Sequence, residues 1–203
     1  EENGKKLKKQ LRFKEDDEEL MEEKDEKEEV EEDQMMDVLT FEEMGLDDRL
    51  LMAIIQLKWL LPTPIQEAAI PMLMEGRDIL AKARTGSGKT GAYAIPLVNK
   101  ILGAKKYTAR KQVTSALIVT PSRELCAQAY KNVLELIRFC QREITVMDLS
   151  TTQLNVKSQK QMLATRPDII IATPTKILEH LRDDQPQQMP YAIDLKSTLE
   201  LLV

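Results

Sequence analysis

Asp78-Ile79-Leu80-Ala81-Lys82-Ala83-Arg84-Thr85-Gly86-Ser87-Gly88-Lys89-Thr90 is the stretch that decides the fold. An apolar run that reads as a strand passes into a glycine-bearing loop, and Lys-Thr then opens helix-like sequence. That order is the phosphate-binding loop of a strand–loop–helix unit, with Ala83 where the general pattern has its first Gly. Gly86 and Gly88 permit backbone conformations that turn successive N–H groups toward an anion, and the following helix adds its positive N-terminus. Lys89 is placed to reach the outer phosphates, and the Thr90 hydroxyl to ligate Mg²⁺, which takes oxygen ligands and retains several waters. The plain alternative is a Gly-rich turn that happens to end in Lys-Thr. The strand before it and the helix after it favour a nucleoside triphosphate site.

Working outward, three more apolar runs have strand character: Ala116–Val119, Ile144–Met147 and Asp168–Ala172. The runs at 78–81, 116–119 and 144–147 are each followed by helix-like sequence, which predicts parallel βαβ units and a sheet covered on both faces. The expected fold class is α/β. Upstream, Leu46, Leu50, Leu51, Ile54, Ile55 and Leu57 share one helical face between Gly45 and Leu60, with Asp47 and Asp48 at its positive end. Pro62-Thr63-Pro64 interrupts regular structure ahead of a shorter helix from about Ile65 to Met74, which Gly76 ends.

Charge divides the chain again. Residues 1–33 carry 8 basic and 16 acidic side chains, a net of −8, whereas residues 34–203 carry 21 and 18, a net of +3. Lys5, Lys6, Lys8, Lys9, Arg12 and Lys14 form a basic cluster, and 14 of the 19 residues from Glu15 to Asp33 are acidic. A block of that kind repels itself and has little apolar surface to bury, so residues 1–38 read as a solvated, disordered tail. The basic cluster is either a nuclear address or nucleic-acid arm, or simply a solvated charge run. At 203 residues, the chain has room for one ordinary domain plus a tail, or at most two small domains. Cys126 and Cys140, with no hydrophobic leader, fit a reducing compartment. No apolar run reaches the roughly 18–20 residues that span a bilayer, so no membrane is expected as a partner. The first residue is Glu1, which reads as a processed or partial sequence.

Three further features carry chemistry. Gln66, in Trp59-Leu60-Leu61-Pro62-Thr63-Pro64-Ile65-Gln66, offers one amide donor and one acceptor, the pair that matches the N6 and N7 edge of adenine. Taken alone, a Gln is more often a surface residue and a Trp beside apolar residues is usually core. Thr120-Pro121-Ser122-Arg123 and Thr173-Pro174-Thr175-Lys176 both follow a buried-looking strand and precede helix-like sequence. Thr suits the N-cap and Pro the first helical position, while a cation in the first turn opposes the helix dipole. Two such helix starts at the carboxyl edge of a parallel sheet suit successive phosphates of a nucleic-acid backbone. They are also simply good helix starts.

As an ordered set, PTPIQ at 62–66 with Phe41 upstream, ARTGSGKT at 83–90, PSREL at 121–125 and TPTK at 173–176 resemble the Q motif and motifs I, Ia and Ib of DEAD-box RNA helicases. The resemblance covers residues 41–203. FEEMGLDDRLL, GAYAIPL and the closing LKSTLELLV look most similar to the nucleolar members that act in large ribosomal subunit assembly. It implies a Q-motif region at 39–67 and the N-terminal part of a RecA-like, ATP-binding P-loop domain at 68–203. It also implies an ATP-dependent RNA helicase, a nuclear and nucleolar location, and pre-ribosomal RNA and ribosome-assembly proteins as partners. Residue by residue, it makes Gln66 the adenine reader and Trp59 the aromatic beside the base. Ala83, Arg84, Thr85, Gly86, Ser87 and Gly88 become the phosphate cradle, with Lys89 and Thr90 as the catalytic phosphate and Mg²⁺ contacts. Pro121, Ser122, Arg123, Glu124, Thr173, Pro174 and Lys176 would face RNA.

The chain departs from the family pattern at several positions. Lys58 stands where Gly is usual, Ser122 replaces Thr, Cys126 replaces Ala, and Ser150-Thr151-Thr152 lies where a Gly pair is usual. Thr175-Lys176 replaces Gly-Arg, which keeps the charge but loses the bidentate fork. The family's Asp-Glu-Ala-Asp and Ser-Ala-Thr motifs and its second RecA-like domain are not in these 203 residues. The resemblance therefore implies unpaired sheet edges, uncovered apolar surface, and a fragment that does not hydrolyse ATP on its own. Two other readings compete: a different P-loop ATPase such as a DNA translocase, and a truncated, non-hydrolysing module that binds RNA or partners.

Overall fold

A computed structural model describes residues 39–107, 112–151, 155–181 and 195–203. The tail expected over residues 1–38, and Thr152 of the Ser-Thr-Thr segment, lie outside the described residues. Residues Thr40–Val203 make one compact unit. The described elements are helices α1 (Asp48–Gln56), α2 (Pro64–Met74) and α3 (Lys89–Tyr107), strand β1 (Ala116–Val119), α4 (Arg123–Leu136), β2 (Val146–Asp148), α5 (Val156–Ala164), β3 (Ile169–Ala172), α6 (Pro174–Leu181), α7 (Leu195–Thr198) and β4 (Leu201–Leu202). The strands form one sheet in the order β2-β3-β1-β4. Every pairing is parallel, with Ala116 opposite both Ile169 and Leu201, and Val146 opposite Ile169. This is the α/β fold that the alternation of strands and helices predicts.

Alternation along the strands divides the core into two layers. Ala116, Ile118, Ile169 and Ile171 pack with Leu50, Ile54, Ile70, Ile95, Val133 and Leu136 from α1 to α4 on one face. Leu117, Ile170 and Ala172 pack with Leu149, Leu163 and Ile177 on the other. Covering both faces is why these strands read as continuous apolar runs, each fully buried Ile or Leu contributing roughly 1.5–3 kcal/mol.

Element boundaries move where hydrogen bonds go elsewhere. The third predicted strand, 144–147, begins two residues late. The Ile144 N–H closes a turn on the Cys140 carbonyl, and the Thr145 N–H and hydroxyl both donate to Asp168 Oδ2, at 2.9 and 3.0 Å. Asp168 itself, read as opening the fourth strand, sits just ahead of β3, where its buried carboxylate also takes Lys105 Nζ at 2.5 Å. The first helix, predicted over 45–60, occupies only 48–56. It closes in a Schellman motif, with the Trp59 N–H on the Ile54 carbonyl at 3.2 Å and the Lys58 N–H on that of Ile55 at 2.9 Å. Lys58 holds φ 58°, the left-handed conformation that Gly adopts without penalty. The Gly usual at this position in the family has a structural reason, and Lys58 takes its place at a cost in backbone strain.

The predicted strand at 78–81 is a correction: residues 77–84 carry no strand, and Leu80 is fully exposed. A strand is defined by its ladder, and no described strand lies beside this segment. The far edge of β4 is open in the same way. Val203 pairs with β1 through its N–H on the Leu117 carbonyl at 2.9 Å, while Leu202 and Val203 remain exposed. Between the β4 edge and residues 78–81 lies a cavity of about 780 Å³ lined by Leu73, Ile79, Ala81, Leu97, Leu201 and Val203, among others. Apolar walls beside a strand edge that is unpaired among the described residues match the uncovered surface that the family resemblance implies, and Lys89 and Thr90 of the phosphate loop line the same cavity.

Candidate nucleotide and nucleic-acid site

The phosphate loop has the backbone its glycines predict. Gly86 and Gly88 adopt φ of 80° and 91°, and α3 starts at Lys89. The first turn of α3 therefore directs its N–H groups, which have no partner within the helix, back into the loop. Lys89 Nζ curls into the same space, donating to the Ala83 carbonyl at 2.7 Å and the Arg84 carbonyl at 2.5 Å. Ser87 Oγ is buried with no hydrogen-bond partner, a hydroxyl held ready for an oxygen ligand. Thr85 is exposed at the loop's rim. The pKa of the neighbouring Tyr93 phenol is pushed up by burial, against a lowering effect of the Thr90 side chain.

The 59–66 segment lies directly on this loop. Thr63 ends the Pro62-Thr63-Pro64 interruption as the N-cap of α2, with Pro64 in the first turn. Gln66 is buried at 3% exposure, and its amide is engaged at both ends: Oε1 accepts the Thr63 N–H at 3.0 Å, and Nε2 donates to the Gly88 carbonyl at 3.1 Å. That leaves one N–H and one lone pair for another partner. Half of a capping box is thus formed, because the Thr63 hydroxyl is itself buried and unpartnered. A Cβ on Gly88 would stand 2.6 Å from Thr63 Oγ1 and 2.7 Å from Gln66 Nε2. One on Gly91 would stand 2.5 Å from Gln66 Nε2 and 3.0 Å from the Trp59 ring. Trp59 itself is partly buried against the core. Sequence reasoning singled out neither Thr63 nor Gly91; the signal for Gly91 was a glycine in the first turn of a helix, where it is unfavourable unless something approaches closely.

The two predicted backbone-facing helix starts lie at the carboxyl ends of neighbouring strands, β1 and β3. At the first, Thr120 is not the N-cap. Ser122 is, its Oγ accepting the Leu125 N–H at 3.3 Å. Thr120 Oγ1 instead lies 3.1 Å from the Ser122 carbonyl and 2.9 Å from Cys126 Sγ. Pro121, Arg123 and Glu124 are exposed. Glu124 is held below the usual carboxylate range, first by its own backbone N–H and then by Ser122, and its charge suits a helix N-terminus. At the second, the helix does begin at Pro174, and the Ile177 N–H closes on the Thr173 carbonyl at 3.1 Å. Lys176 Nζ is bound to Glu179 Oε2 at 2.6 Å. Behind this edge, the buried Gln159 amide donates to the Leu149 carbonyl at 3.2 Å and faces His180 Nε2 at 3.1 Å, joining α5, α6 and the segment after β2. Sequence reasoning did not single out this pair, which is 21 residues apart.

No helix is long and apolar enough to cross a membrane, and no group of three His, Cys, Asp or Glu side chains is placed to hold a metal ion, both among the described residues. Compared with known proteins, residues 63–203 match the model of the DEAD/DEAH box helicase family. The chain is 41% identical over 164 residues to the Dictyostelium discoideum protein named "Probable ATP-dependent RNA helicase ddx56", which covers 81% of this chain and 23% of that protein. It is 44% identical over 144 residues to ATP-dependent RNA helicase dbp9 of Botryotinia fuckeliana, covering 71% and 23%. It is 42% identical over 138 residues to DEAD-box ATP-dependent RNA helicase 16 of Arabidopsis thaliana, covering 68% and 22%. The chain thus spans under a quarter of the length of these curated relatives.

Proposed function

Because the chain belongs to the DEAD/DEAH box helicase family, we propose that the protein carrying it is an ATP-dependent RNA helicase, in which RNA-stimulated ATP hydrolysis drives local opening of an RNA duplex. The observation that carries this reading is the contact of Gln66 with the Gly88 carbonyl, which lays a potential adenine-reading amide against a phosphate loop. Gln66 would read the base with Trp59 beside it, and residues 83–88 would cradle the phosphates. Lys89 would leave its two carbonyl partners for the outer phosphates. Thr90 would offer its hydroxyl oxygen to a Mg²⁺, which takes oxygen ligands. When bound, that ion neutralises charge between the outer phosphates. The unpartnered hydroxyl of Ser87 and the N–H groups at the start of α3, which have no partner within the helix, fit a phosphate in this place.

Pro121, Ser122, Arg123, Glu124, Thr173, Pro174 and Lys176 would take the RNA backbone. All sit at one sheet edge, and backbone contacts of this kind position a strand without reading its sequence. Similarity of the 41–51 and 195–203 segments to nucleolar helicases supports a role in ribosome biogenesis, in the nucleolus, on pre-ribosomal RNA and beside ribosome-assembly proteins.

The test is ATP turnover by the protein carrying this chain, with and without single-stranded RNA. RNA should stimulate phosphate release, and Lys89→Ala should lower it by about 100-fold or more by removing charge from the developing transition state. An unchanged rate in that variant would refute the assignment, and stimulation by DNA in preference to RNA would redirect it to a DNA translocase.

A further inference from the structure

The two cations at the proposed RNA edge are not equally available. Arg123 is exposed, and among the described residues its guanidinium has no hydrogen-bond or ion-pair partner. Lys176 is held by Glu179, one helical turn along α6. Its side chain is 24% exposed and that of Glu179 47%, so the carboxylate is the more accessible half of the pair. Glu179 is held below the ordinary carboxylate range first by the hydrogen bond from Lys176, and further by the electrostatic pull of Lys176, His180 and Arg123. One carboxylate therefore stands within the field of both cations that would face RNA.

A phosphate oxygen and a carboxylate oxygen make the same kind of charge-assisted contact with an ammonium. They compete for Lys176. An exposed pair of this type is worth little, so a phosphate can displace it, and a lysine, as a point charge on a flexible stem, changes partners without needing a fixed fork. We propose that Glu179 occupies on Lys176 the place of an RNA phosphate, so that it sets the strength and salt dependence of RNA binding at this edge. The inference rests on the reading of Lys176 as a backbone contact. While Glu179 is in place, the binding of each strand includes the displacement of an internal anion. That lowers the number of counterions the RNA releases, because Lys176 was already neutralised.

The experiment uses the 203-residue chain and a fluorescein-labelled ten-nucleotide oligouridine, with affinity measured across a series of salt concentrations. Glu179→Gln should tighten binding about threefold at low salt and steepen the log–log salt slope by roughly 0.7, the value of one single-strand phosphate contact. In a Lys176→Ala background, the same change should give no gain. A gain of equal size in both backgrounds overturns the proposal, because it would reflect net charge and not the pair. If Glu179→Gln changes nothing while Lys176→Ala weakens binding, the inference fails and the backbone contact stands. If neither changes affinity, or the parent chain does not bind, the backbone reading of Lys176 falls and the inference with it.

Discussion

The turns after β1 and β3 are written alike and built differently. Both follow a buried strand with Thr-Pro, a hydroxyl residue and a cation. After β1, the chain runs two residues further before α4 begins, Ser122 becomes the cap, and Arg123 is the first helical residue. After β3, α6 begins at Pro174, and Lys176 is the third. That offset of two residues sets where each cation sits in its helix, and the residue one turn along sets what it meets. Arg123 stands at the first position of its helix with no oppositely charged group bonded to it among the described residues, whereas Lys176 reaches Glu179 one turn on. A shared tetrapeptide pattern therefore does not fix a shared role: the residue one turn on, Glu179 after Lys176 but Cys126 after Arg123, decides whether the cation has an acidic partner on its own helix.

The largest test of this contrast is Arg123→Ala. RNA affinity should fall about tenfold with a salt slope flatter by roughly 0.7, and the loss should be equal for RNAs of different sequence. A loss confined to particular bases would mean that Arg123 reads sequence, and the contrast would have to be redrawn. Next, Ser122→Ala should lower the unfolding free energy by about 1 kcal/mol in a denaturant titration, because it leaves the Leu125 N–H without its cap. No change would return the cap to Thr120 and make the two turns alike. The smallest effect belongs to Lys176→Ala, which should weaken RNA about twofold, since part of that ammonium's charge is already spent on Glu179. A loss as large as that of Arg123→Ala would show the two cations to be equivalent.

Local chemistry was legible in sequence, and pairing across distance was not. The phosphate loop is encoded within eight consecutive residues, and the parallel sheet follows from apolar runs alternating with helices. Residues 78–81 have the composition of a strand, but a strand exists only with a neighbour, and no run of residues reports whether one stands beside it. The end of α1 was hidden because Lys58 holds a left-handed conformation that composition assigns to Gly. Ser122 and Thr120 are both good caps on paper, and only the closure of the Leu125 N–H distinguishes them. Gln66 was visible as an amide of the right chemistry. Its bond to Gly88, 22 residues away, was not, although the glycine at 91 marked the close approach.

That bond joins the two ends of any nucleotide in the proposed pose. The Gly88 carbonyl belongs to the segment that would turn around phosphate, and the Gln66 amide that holds it would hold the base. There is no room for a Cβ between them, so the two are in direct contact and a shift of one alters the surroundings of the other. Base and phosphate are then not independent binding fragments. The free energies of adenosine and of inorganic triphosphate, measured separately, should not sum to that of ATP, because whichever group arrives first changes the geometry that the second one meets.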